Sequence, residues 1–173
     1  MRARMVGLVF VLGLVAVGVA VAGANRNWST HANGSQEVPV RDTNAQAQAI
    51  FHLSKDGTEL NYKLIAANIE NVFMAHIHIN RPGVNGPITV WLYPSTATVP
   101  GPTGAGRIDG VIAEGTITAG NLVGPLLGQP LTALVTALND GNAYVNLHTS
   151  DGVAPADTGA GDFPGGEVRG DIN

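Results

Sequence analysis

The chain has 173 residues, with 13 acidic against nine basic side chains, a formal net charge of -4, five histidines and no cysteine. An acidic balance without clustered Lys and Arg leaves no electrostatic footprint for nucleic acid or an anionic membrane. The absence of cysteine excludes disulfides, thiolate metal sites and cysteine nucleophiles, so the domain must stand on its core alone.

Residues 1–24 read as an export signal. Arg2 and Arg4 form a basic start, residues 6–22 are an unbroken run of Val, Leu, Ala, Gly and Phe, and small residues stand at Ala20, Ala22 and Ala24. Cleavage after Ala24 is favoured, with Ala22 as the alternative. The rival reading is an uncleaved anchor, because the apolar run approaches the shortest spans, about 17–25 residues. No cysteine follows for a lipoprotein anchor, and Arg2 and Arg4 are not adjacent as a twin-arginine signal requires. Loss of the two arginines moves the net charge to -6. Residues 25–173 then form one secreted or periplasmic domain, free of the membrane once the signal is removed.

The mature part is rich in Gly and Pro, poor in charge, and alternates apolar and polar residues in short runs, which predicts an all-β antiparallel sandwich. Ala47, Ala49, Phe51 and Leu53 alternate with polar residues up to Lys55-Asp56-Gly57, and Leu60, Tyr62, Leu64 and Ala66 return. This predicts a hairpin over residues 46–66. The next strand, 72–79, is expected to place Phe73, Ala75, Ile77 and Ile79 on one face and Met74, His76 and His78 on the other. A turn-rich loop, 81–87, leads to a strand at 88–93, then an irregular loop at 94–106 and a strand at 111–117. Leu131, Leu134, Val135 and Leu138 behind Pro130 have the spacing of one short helix. Residues 144–148 predict a strand with Val145 and Leu147 inward and Tyr144, Asn146 and His148 outward. A flexible loop over 150–162 and a short strand at 166–170 close the chain.

Four stretches in order carry a family resemblance: Gln36-Glu37-Val38-Pro39; Ala75-His76-Ile77-His78 with Asn85-Gly86-Pro87-Ile88; Tyr144-Val145-Asn146-Leu147-His148-Thr149; and Gly166-Glu167-Val168-Arg169-Gly170. Together they resemble the signature of the CHRD (chordin-type) domain over residues 28–173. The resemblance implies a Greek-key-like β-sandwich of the kind found in extracellular chordins, which sequester growth factors, and in exported microbial proteins. Fold does not by itself settle function.

Histidine is the strong metal ligand available here, and an H-x-H pair on a strand puts two imidazoles on one face. His76, His78 and His148 are the expected metal ligands, with His52 or His31 as a fourth. Imidazole ligation suits Cu(II) or Zn(II), with copper first and zinc as the alternative. H-x-H on one strand with a later single His resembles the copper site of copper/zinc superoxide dismutases, without their zinc loop or disulfide. That resemblance implies a copper-dependent dismutase whose small anionic substrate is superoxide, and Arg169 beside the copper would attract it. The structural role for Arg169 is a salt bridge to Glu37. The alternative function is a non-catalytic module with a protein partner. No G-x-S-x-G, H-E-x-x-H or P-loop appears.

Overall fold

A computed structural model describes residues 26–94 and 99–173, so the predicted export signal, residues 1–24, lies outside the described residues. Among the described residues eight strands form one antiparallel sheet: β1 (Asn27–Asn33), β2 (Gln46–Leu53), β3 (Leu60–Glu70), β4 (Val72–Ile79), β5 (Ile88–Tyr93), β6 (Arg107–Ile117), β7 (Ala143–Thr149) and β8 (Val168–Asp171). Their order is β5-β4-β7-β8-β1-β2-β3-β6. The sheet curls until its edges β5 and β6 face each other. Across that join the Tyr62 hydroxyl donates to the Leu92 carbonyl at 2.7 Å. The order β7-β4-β5-β6 around the join is a Greek key, as expected for the fold class.

The core follows from the alternation. In β2 and β3 every second residue is buried, from Ala47 to Leu53 and from Leu60 to Ala66. Phe51, Leu60 and Leu64 are fully buried there. Facing them from β4 and β7 come Ala75, Ile77, Val145 and Leu147. The one α-helix among the described residues, α1 (Leu131–Asn139), adds Leu131, Leu134 and Leu138 to the same core. It ends where Gly141 takes φ +67°, the left-handed turn that glycine adopts without strain.

β1 is a full strand with Trp28, Thr30 and Ala32 inward, in a stretch for which periodicity gave no strand. Two expectations change. β6 begins at Arg107, four residues before the predicted strand. In β4 a bulge between Val72 and Met74 breaks the alternation. Val72 therefore enters the core, while the Phe73 ring stands edge-on to His148, 6.4 Å between centroids.

Candidate metal centre

Strand register builds the site. β4 and β7 pair so that His76 lies opposite Asn146, His78 opposite Tyr144, and Met74 opposite His148. β7 and β8 continue the row, with Asn146 opposite Arg169 and Tyr144 opposite Asp171. His148 is thus the diagonal neighbour of His76 on one face of the sheet. The face is the predicted one, turned away from the apolar core, but it is not solvated. His76 is 0 %, His78 8 % and His148 7 % exposed.

The cover comes from three loops that strand periodicity could not place. Asn85 donates to the Val38 carbonyl at 2.7 Å, joining the 81–87 loop to the stretch after Gln36. Arg169 donates to the Val84 carbonyl at 3.2 Å and to Asn85 Oδ1 at 3.3 Å. Asn146 Nδ2 donates to Glu37 Oε1 at 2.7 Å. Buried Glu167 accepts from Thr149 at 2.5 Å and from Thr43 at 2.6 Å, which ties down the third loop, residues 150–167 between β7 and β8. The motif residues are, in large part, the fasteners of this cover.

Within it the imidazoles are oriented by backbone. His78 Nδ1 lies 2.9 Å from the Gly86 carbonyl, and His148 Nδ1 lies 2.9 Å from the Pro164 carbonyl. A carbonyl only accepts, so both rings carry the proton on Nδ1 and turn the Nε2 lone pair inward, the arrangement that fixes metal-ligating histidines. His76 Nδ1 is 3.3 Å from His148 Nε2. The Nε2 atoms of His76 and His78 are buried with no hydrogen-bond partner. Orphaned buried nitrogens are costly in a folded protein, and an ion shared with His148 Nε2 and His76 Nδ1 would satisfy the one on His78.

One ligand atom from each of His76, His78 and His148 lies within 4.8 Å of the others. Two nitrogens bound at about 2.0–2.1 Å to a tetrahedral ion stand roughly 3.3 Å apart. The His76–His148 pair has that spacing, through His76 Nδ1 and His148 Nε2, and the His78 ligand atom lies within 4.8 Å of both. The donor set fits Zn or Cu, not calcium.

Burial holds all three rings neutral. His76 is driven from 6.5 to about 2 by desolvation, then by the neighbouring His148 and His78. Desolvation takes His148 to about 4 against the Pro164 hydrogen bond, and lowers His78 against the Gly86 bond. Burial raises Glu37 to about 7, against the Val38 N–H and the charges of Arg169 and Arg41. The linkage signs oppose each other. The rings, lowered in the fold, lose stability as pH falls below 6.5; Glu37 gives stability that is full below 4.5 and lost as pH rises through about 7. Three rings outweigh one carboxyl. Metal-free protein is therefore expected to be less stable at pH 4.5 than at pH 7 by a few kcal/mol. Thermal unfolding in chelator at both pH values checks this, and a higher Tm at pH 4.5 would contradict it.

The other predicted site residues are placed elsewhere. His52 is exposed on β2, with Nδ1 2.6 Å from Asn27 Oδ1. β1, β8 and β7 separate it from β4, so it does not join the cluster. His31 is exposed on β1 among β2 and β3 residues. Arg169 is only 1 % exposed and pairs with Asp171 at 3.3 Å, so the expected bridge to Glu37 is not formed. Its guanidinium lies 3.5 Å from the Tyr144 ring centroid, and Tyr144 stacks on His78 at 4.9 Å. Trp91 meets His76 edge-on at 4.2 Å. Neither the Trp91 contact nor the Pro164 carbonyl had a sequence signal, whereas Tyr144 lies in a motif noticed for its histidine.

A family model, the CHRD domain, matches residues 28–172. The chain belongs to the CHRD domain family. No curated protein and no solved structure matches it. In this CHRD domain the four motifs converge on one patch: Glu37, His76, His78, Gly86, Asn146, His148 and Arg169 all belong to it.

Proposed function

We propose that this chain is an exported CHRD module that holds one metal ion between His76, His78 and His148, copper first and zinc as the alternative. The observation that supports it is that three buried imidazoles each offer a ligand atom within 4.8 Å of the others, with His78 Nε2 left unpartnered and His148 held by a backbone carbonyl. Copper supplies a Cu(II)/Cu(I) couple that zinc lacks, so consumption of superoxide is the redox activity such a site would have. Burial of Arg169 removes the surface anion guide from that reading. The predicted export signal supports an extracellular or periplasmic address.

The second reading is a non-catalytic module with a protein partner, as in the chordins, and family membership supports it directly. One experiment separates the readings. Protein refolded with copper is desalted, analysed for metal and assayed for superoxide loss. The metal-site reading predicts about one ion per chain; a chain without metal that captures a protein partner would establish the module reading instead. Bound copper without superoxide loss would leave storage or delivery as the role and remove dismutation.

A further inference from the structure

The charge around the three imidazoles favours one oxidation state. No carboxylate or thiolate belongs to the ligand group. The nearest buried formal charge that the stacking connects to it is positive: the Arg169 guanidinium, on the far side of the Tyr144 ring from His78. Its counter-ion Asp171 is partly exposed, 29 % at the side chain, so solvent weakens the compensation. Glu37 is the next carboxyl, bound to Asn146.

Burying an ion costs free energy as the square of its charge, and no anionic ligand offsets that cost in this site. Among ions that favour imidazole, only Cu(I) is monovalent. Coordination number points the same way. Zn(II) in a three-histidine site completes its shell with water. Here Trp91, Tyr144 and Phe73 wall the imidazoles. Three-coordinate Cu(I) needs no fourth ligand.

We propose that the His76, His78 and His148 pocket is selective for monovalent copper over Cu(II) and Zn(II), and that the Arg169 guanidinium behind Tyr144 adds to the preference. This rests on the metal-site reading above. For unit charges roughly 8 Å apart at an effective dielectric of about 20, one charge more on the ion changes its affinity by about 30-fold before the partial compensation by Asp171.

The test is a pair of anaerobic competitions on the mature protein, Cu(I) against bicinchoninate and Zn(II) against a zinc chelator, with potentiometry of the copper form. Cu(I) is expected to bind at least 100-fold more tightly than Zn(II), and the bound couple to lie above that of aqueous copper. Asp171→Asn, which removes the exposed counter-charge, is expected to raise the Cu(I)/Zn(II) ratio several-fold. Arg169→Gln is expected to lower it about tenfold, and Arg169→Lys to restore most of it. Zinc bound as tightly as Cu(I), or a ratio unmoved by Asp171→Asn in a folded protein, overturns the selectivity while leaving the site. Binding of neither metal overturns the site itself.

Discussion

The His76→Ala, His148→Ala double variant is expected to fold and to lose stoichiometric metal, its affinity falling by at least about 1,000-fold. Changes to groups that merely orient a ligand cost about 10–100-fold, and this variant removes two of three ligands. The fold should survive because neither ring supports the apolar core, which lies on the opposite face of β4 and β7. Truncation opens space beside Trp91, at a cost of about 1–3 kcal/mol, partly offset by loss of the orphaned His76 Nε2. The clearest readout is thermal. An ion that binds only the native state at 1,000 times its Kd stabilises by about 4 kcal/mol. Wild-type Tm should rise with added copper and the double variant's should not. Equal rises in both would place the metal elsewhere.

The second large effect is expected at Gly86, which carries no functional side chain. A Cβ there would run into the Ile79 carbonyl and the Asn80 side chain, so Gly86→Ala must push the 81–87 loop off the sheet. That loop supplies the carbonyl facing His78 Nδ1 and the N–H that donates to Tyr144 at 2.9 Å. The expected cost is about 1–3 kcal/mol of stability and a 10–100-fold loss of metal affinity. Gly83→Ala is the control. Gly83 sits in the same loop at φ +74° with nothing within 4 Å of an added Cβ, so it should cost some stability and no affinity. Loss of affinity in Gly83→Ala alone, or in neither variant, would show that the His78–Gly86 bond does not orient the site.

What was legible in the sequence followed period 2. The hairpin of β2 and β3 emerges from alternating residues on both arms, and the H-x-H of β4 shares a face with His148 because each strand alternates locally. The ranges of β4 and β5 coincide with the predicted 72–79 and 88–93. Phe73 was misplaced because a bulge shifts the side-chain face without a mark such as Gly or Pro. The largest gap was exposure. His76, His78 and His148 read as outward, yet segments distant in sequence lie over them, held by bonds such as Asn146 to Glu37 and Arg169 to Val84. Periodicity reports which face a residue takes, not what later packs on it. The same non-local packing decides that Arg169 pairs with Asp171, two residues along, rather than with Glu37. His52 matched the ligand pattern by residue type, but strand order alone sets its distance from β4, and strand order has no local signature.

The most direct measurement is a long-range ¹H–¹⁵N spectrum of the five imidazoles during titration of metal-stripped protein with copper kept reduced and air-free. The signals of His76, His78 and His148 should change together and saturate at one equivalent, while those of His31 and His52 stay in place. Saturable changes at His31 or His52, with the three buried rings unmoved, would contradict a metal centre between β4 and β7.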